Sequence, residues 1–169
     1  SDNIYVSESG ADRVQIFNST SFRSMIGGGG SGDGSFHTPV GIALDSLGNF
    51  YVAYVANYRI QKFNSAGVFQ SKIAPGIQGS GDGQFKGPWG VAVDSSDNLY
   101  VADSANQRIQ KFNSDGVFQS KFGSNGSGIG QFFYPRAIAI DSSDKIYVVD
   151  TDNNRIQIFI QGLPCTPPT

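Results

Sequence analysis

The side chains that most often do covalent or metal chemistry are scarce in this chain. His37 is the only histidine and Cys165 the only cysteine among 169 residues. One imidazole cannot build a three-histidine zinc site. No serine stands in the strained elbow context that exposes a nucleophile, so His37 has no marked partner for a relay of the Ser-His-Asp kind. A lone cysteine excludes an internal disulfide and every multi-cysteine metal site. It lies in the segment Gly162-Leu163-Pro164-Cys165-Thr166-Pro167-Pro168-Thr169, where an idle thiol and an intermolecular bridge both stay open. The run Gly27-Gly28-Gly29-Gly30-Ser31-Gly32 lacks the Lys-Ser/Thr ending and following helix of a phosphate loop.

Charged residues recur instead. Arg13, Arg59, Arg108 and Arg155 occupy equivalent points, close to Glu8, Asp103 and Asp150 but to Tyr54 in the second copy. Such a ring of guanidiniums could hold phosphate. A residue repeated in every unit is more simply a tie between a turn and its acidic neighbour. Asp45, Asp94 and Asp141 also recur, each before a Ser-Leu-Gly or Ser-Ser-Asp turn whose amides a carboxylate can satisfy. A calcium site would need several oxygens converging from one loop or face. Gly32-Asp33-Gly34 and Gly81-Asp82-Gly83 read as turns that need positive φ. No metal and no cofactor is predicted.

These residues need a scaffold, and composition limits its kind. Charged residues make up 15% of the chain and the net charge is −2, which gives no strong pull toward nucleic acid or an acidic membrane. The 22 glycines, with many Ser, Asn, Asp and β-branched or aromatic residues, favour short strands and tight turns. No apolar run approaches the roughly 20 residues of a membrane span. The sequence opens at Ser1 with no basic and apolar leader, so an export signal is expected to have been removed or to lie outside this sequence.

The chain repeats itself with a period of about 47 residues, in the range of propeller blades. Asn49-Phe50-Tyr51-Val52-Ala53 returns at Asn98-Leu99-Tyr100-Val101-Ala102 and at Lys145-Ile146-Tyr147-Val148-Val149, and is foreshadowed by Asn3-Ile4-Tyr5-Val6-Ser7. After each copy come a polar turn and a second strand, such as Arg108-Ile109-Gln110-Lys111-Phe112. A third strand, Val68 to Ile73 and Val117 to Phe122, has a degenerate version around Phe22. Gly-rich loops then lead through Pro39, Pro88 and Pro135 into Gly41-Ile42-Ala43-Leu44, Gly90-Val91-Ala92-Val93 and Ala137-Ile138-Ala139-Ile140. In this strand small residues alternate with bulky ones, the taper required of the innermost strand of a blade.

The succession from Phe85 to Phe112 carries the full pattern: Phe, two residues, Pro, one residue, Gly-Val-Ala-Val-Asp, turn, Asn-Leu-Tyr-Val-Ala-Asp, turn with Asn, Arg-Ile-Gln-Lys-Phe. It resembles the NHL repeat family. The departures are Ala11 for the turn Asn, Tyr54 for the acidic residue and Ala137 for the Gly. The resemblance implies a propeller, in this family of about six blades, that serves as a protein-binding or RNA-binding platform, with a few enzymes among its relatives. Amidating lyases of NHL type use several zinc-bound histidines, and streptogramin-lyase-like propellers also rely on histidine catalysis. His37 alone meets neither requirement.

The predicted fold is therefore an all-β propeller of four-stranded NHL-type blades, with about three and a half repeats in residues 1–161. Residues 162–169 are expected to form a Pro/Thr-rich tail or linker. With strands a to d counted outward from the axis, the chain reads b-c-d, a-b-c-d, a-b-c-d, a-b-c. The residues after the prolines, Val40, Trp89 and Arg136, differ between blades, as binding residues should. Tyr54, Tyr58, Lys86, Trp89, Phe133, Tyr134 and Arg136 form the candidate binding face, although aromatics packed beneath neighbouring loops would give the same pattern. The functional expectation is a non-catalytic module that binds a protein or glycan. RNA binding is the alternative, and a propeller lyase or hydrolase a more distant one. The composition and the sequons at Asn18 and Asn125 point to an exported or cell-surface protein. The incomplete terminal blades must be covered by a second copy of the chain, by the rest of a longer parent protein or by an unusual four-bladed closure, and the expectation is association of the chain with itself, in a closed ring or an open assembly.

Overall fold

A computed structural model describes residues 3–74 and 76–160. The expected tail, with Cys165, lies outside the described residues. Fourteen strands form four antiparallel sheets in chain order. The first blade holds β1 (Ile4–Glu8), β2 (Arg13–Phe17) and β3 (Phe22–Gly27). The second holds β4 (Pro39–Leu44), β5 (Phe50–Tyr54), β6 (Arg59–Phe63) and β7 (Phe69–Ile73). The third holds β8 (Pro88–Val93), β9 (Leu99–Asp103), β10 (Arg108–Phe112) and β11 (Phe118–Phe122). The fourth holds β12 (Pro135–Ile140), β13 (Lys145–Asp150) and β14 (Arg155–Ile160). The chain is an all-β propeller segment.

Alternation along each strand explains how the sheets stack, because successive side chains point to opposite faces. Each junction between consecutive blades buries one apolar cluster. Ala92, Tyr100, Ala102 and Ile109 of the third blade meet Phe132, Ile138, Val148 and Phe159 of the fourth. Phe36, Phe85 and Phe132, the last residues of the Gly-rich loops, are fully buried, one in each junction. Removing such a ring costs about 3–5 kcal/mol, so three loop residues carry much of the stacking energy. The loop backbone must turn sharply to deliver them. Gly123 has φ +97°, and a Cβ there would meet the Phe132 ring at 2.5 Å.

The inner strands β4, β8 and β12 lie side by side, with β1 against β4. Gly90 shows why strand a is small on one face: a Cβ would come within 2.7 Å of the Arg136 carbonyl oxygen of the next blade. Ala43 and Ala92 lie inside the junction cores. Ala137 and Ala139, at the matching positions of β12, are exposed on the far face of the fourth blade, where no further blade packs among the described residues.

Strands b and c are joined by three-residue 3₁₀ turns, Ser9–Ala11, Val55–Asn57, Ser104–Asn106 and Thr151–Asn153. Each turn closes on one left-handed residue, Asp12, Tyr58, Gln107 or Asn154. The turns share one end of the molecule with the Gly-rich loops, since Ser104 N donates to Gly87 O and Asp152 N to Phe133 O. This loop end carries the candidate site.

Candidate functional site

Strand a does not pair regularly along its whole length. The ladder slips between Pro39 and Ile42, between Pro88 and Val91, and between Pro135 and Ala137. A bulge of this kind re-aims the side chains within it. Val40, Trp89 and Arg136 fall in these three bulges, and with Gly41, Gly90 and Ser9 they line an open hollow of about 450 Å³ at the loop end of the axis. The Arg136 guanidinium lies 5.0 Å from the centroid of the Trp89 ring. The first blade closes one side, with Ser7 Oγ donating to Val40 O at 2.9 Å and Ser9 Oγ to Pro39 O at 2.6 Å.

Of the predicted face, Trp89 and Arg136 line the hollow, and the others, Tyr54 apart, lie on the loops and turns of the same end. Lys86, Phe133, Tyr134 and Arg136 are exposed, and the Phe133 and Tyr134 rings sit 5.2 Å apart. Phe133 N donates to Asp150 Oδ1 and Tyr134 N to Gln107 Oε1, so their loop is fixed by both its own blade and the preceding one. Tyr58 is half-buried against the core between the second and third blades. Tyr54 does not belong to the face. It is 0% exposed, with its ring 5.8 Å from Phe36 and its hydroxyl accepting from Gln61 Nε2. It alternates into the junction with the first blade, and at this position the pleat decides burial.

The recurrent arginines reach loops. Arg108 Nε donates to Asp103 Oδ2 at 2.9 Å, and its terminal nitrogens donate to the carbonyls of Ser80, Gly81 and Gln84. Arg155 repeats this with Asp150 and the carbonyls of Ser127, Gly128 and Gln131. Arg13 pairs with Glu8 and meets no such loop among the described residues. Arg59, facing Tyr54 instead of a carboxylate, stacks 5.1 Å over its ring and keeps one loop carbonyl, Gly32 O. Burial lowers the Arg59 pKa from its ordinary value, against the pull of Asp33. Asp150 stays below the usual carboxylate range: burial pushes it up, but donors from Phe133 N, Asn153, Arg155 and Gln157 outweigh that.

Asp45, Asp94 and Asp141 line a second hollow of about 330 Å³ together with Asp97, Ser46, Ser95 and Ser142. Each accepts from its own turn, as Asp45 does from Leu47 N and Asn49 N. Among the described residues no group of three His, Cys, Asp or Glu side chains is placed to hold a metal ion. His37 is exposed on the loop before β4.

Two sets of residues escaped the sequence reading. Gln61, Gln110 and Gln157 accept from the loop amides of Gly34, Gly83 and Gly130, and their recurrence in every Arg-Ile-Gln segment was the available signal. Ser46 donates to Asp97, and Ser95 to Asp144, each bond crossing from one blade to the next.

The NHL repeat model matches residues 85–112 and 132–159, the third and fourth blades from loop Phe to the end of strand c. The third and fourth blades carry NHL repeats. No curated relative matches it by sequence. Solved structures similar to the chain include a catalytically inactive virginiamycin B lyase from Staphylococcus aureus with quinupristin, 17% identical, TM-score 0.70, covering 95% of this chain and 49% of that one. An auxiliary nutrient binding protein from Bacteroides thetaiotaomicron is 19% identical, TM-score 0.66, with coverage of 91% and 44%. The RRP9 WD40 repeats are 11% identical, TM-score 0.66, with coverage of 94% and 47%. The chain thus spans about half the length of these solved structures. At such identities the likeness is one of fold.

Proposed function

We propose that this chain is a non-catalytic binding module of an exported or cell-surface protein, and that its ligand, a protein or a glycan, sits at the loop-end hollow. The observation that carries the reading is the stacked pair of Trp89 and Arg136, placed by two bulges over an open concavity, with exposed Phe133 and Tyr134 on the loop that leads into Arg136. An aromatic face beside a guanidinium offers apolar area and a fixed charge at low entropic cost, the composition of binding hot spots. The neighbours in fold include a lyase, a nutrient binding protein and WD40 repeats, and the residues at the hollow favour the binding members. Asp45, Asp94 and Asp141 lie at the other end of strand a, engaged with their own turns.

Trp89 is the only tryptophan, so its fluorescence reports on this hollow alone. Peptide and glycan arrays probed with the labelled chain are expected to yield ligands that shift Trp89 emission and lose at least tenfold in affinity in Arg136→Ala. Ligands that leave Trp89 emission unchanged would remove the hollow from the reading. Salt-sensitive binding of single-stranded RNA, lost in Arg136→Ala, would replace it with RNA recognition. A turnover abolished by His37→Ala would replace it with an enzyme.

A further inference from the structure

The arginines of this chain differ in what they hold. Arg13, Arg108 and Arg155 pair with Glu8, Asp103 and Asp150, Arg59 reaches Gly32 O and Asp33, and Arg23 donates to Asn3 Oδ1. Arg136 has no carboxylate or carbonyl partner among the described residues, and its guanidinium rests on the Trp89 ring. It is exposed, and among the described residues it is the one charged side chain that lines the loop-end hollow. Glu8, next in sequence to the lining Ser9, is engaged by Arg13 and Gln15. A guanidinium presents its donors as a planar fork that matches a carboxylate. The donors of Arg136 are thus open to an anion that enters the hollow.

The rest of the lining sets what accompanies that anion. Trp89 and Arg136 can donate hydrogen bonds but not accept them, and Ser9 Oγ already donates to Pro39 O at 2.6 Å. No carboxylate, amide or imidazole side chain lines the hollow among the described residues. Val40, Ile42 and Trp89 are half-buried and Ala137 is exposed, so the accessible remainder of the wall is apolar. A sugar matches this wall poorly, because each hydroxyl donates as well as accepts and would give up water without a side-chain acceptor in return. A phosphate dianion matches poorly too, with one guanidinium and no second cation in the lining. A carboxylate only accepts, and it leaves the apolar wall to an apolar group. In the last residue of a peptide those two groups hang from one carbon. An acidic side chain within a peptide carries no apolar group of its own.

We propose that the hollow binds the free C-terminus of a protein or peptide whose last residue is apolar, with its carboxylate on the Arg136 guanidinium and its last side chain against Trp89, Val40 and Ile42. The inference rests on the reading of this hollow as the binding site and names the ligand that it takes. The 5.0 Å between the guanidinium and the Trp89 centroid brings the charge and the apolar wall within the span of one residue. The bulges between Pro88 and Val91 and between Pro135 and Ala137 fix both side chains to strands of the sheets, so little ordering is left to occur on binding.

The test titrates the whole chain with N-acetylated pentapeptides of glycine and serine that end in leucine, phenylalanine, aspartate or lysine, each as free acid and as amide, while Trp89 emission is followed. The leucine and phenylalanine acids are expected to shift the emission and to saturate below millimolar concentration, with their amides weaker by about tenfold or more. The aspartate and lysine acids should be weaker than the leucine acid by a similar factor. Arg136→Gln alters an exposed side chain, should leave the circular dichroism unchanged, and should erase the difference between acid and amide. Arg136→Lys should restore part of that difference, since it keeps the charge and loses the fork. Equal affinity for acid and amide, a preference that survives Arg136→Gln, or no saturation by the leucine and phenylalanine acids at millimolar concentration overturns the proposal. Tighter, Arg136-dependent binding of oligogalacturonate than of these peptides also overturns it, in favour of an acidic glycan, and leaves the hollow as the binding site. Array ligands that leave Trp89 emission unchanged remove the hollow itself, and the proposal with it.

Discussion

The second and third blades are built from nearly the same strands, yet they hold their incoming loops differently. In the third, Asp103 is fully buried and gathers Lys86 N, Arg108 Nε and Asn106 Nδ2 about one carboxylate. In the second, Tyr54 fills that place, Arg59 stacks on its ring, and Arg59 Nε is buried without a hydrogen-bond partner among the described residues. Both loops nevertheless deliver a fully buried Phe, Phe36 or Phe85. The difference teaches that the apolar anchor is common to both junctions, while the polar clamp around it tolerates exchange of a charge for an aromatic face.

The largest effect expected from this contrast comes from Asp103→Ala, which strands Arg108 in a buried site and should cost about 3–5 kcal/mol in chemical denaturation. Tyr54→Leu keeps most of the apolar bulk and should cost less than about 2 kcal/mol, from the lost ring face and hydroxyl bond. Equal losses in the two variants would break the comparison. A double-mutant cycle then sharpens it: the coupling of Tyr54 with Arg59 is expected at about 0.5–2 kcal/mol, as for a cation over an aromatic ring. A coupling near zero would reduce Tyr54 to a space-filling residue.

Acid should separate the blades in the same direction. The pKa of Asp150 is depressed in the folded chain, so its contribution is complete above the unfolded value of about 3.9 and is lost as pH falls through the folded value. The second blade has no carboxylate at this position. Hydrogen exchange as pH is lowered below about 4 should therefore release the amides of Phe133 and its loop before those around Phe36. Asp150→Asn should remove the difference, and simultaneous release of both loops in the unaltered chain would contradict it.

The smallest effects concern the clips between blades. Ser46→Ala should cost about 1 kcal/mol by removing the hydroxyl's bond to Asp97, while the Ser46 N–H still donates to it. Gly48→Asp puts an aspartate at the position of Asp97 and Asp144 in the repeat and should change stability by less than about 0.5 kcal/mol, since no serine of the first blade faces it among the described residues and its φ of +79° resembles that of Asp97 and Asp144. A clear gain from Gly48→Asp would show that the aspartate acts within its own blade.

The sequence by itself determined the strands, their order within each sheet and the repeat that multiplies them. Their signals are local: alternation over five or six residues, turn residues at fixed offsets, and Pro at the start of strand a. Arg108 and Asp103 were readable as neighbours because they flank one short turn. The tertiary structure alone decided which face of each strand is covered. Alternation places Tyr54 and Ala53 on opposite faces but does not say that both faces of β5 lie in junctions, so Tyr54 read as a surface aromatic and is core. Ala137 holds the position of Gly90 in the repeat, and it is open because burial of strand a depends on the next blade, not on its own residues. Ser46 and Asp97, 51 residues apart, and the meeting of Trp89 with Arg136 over the hollow arise from stacking of sheets distant in the chain. A periodic sequence specifies the unit; the contact between units fixes what is core, what is clip and what is left open.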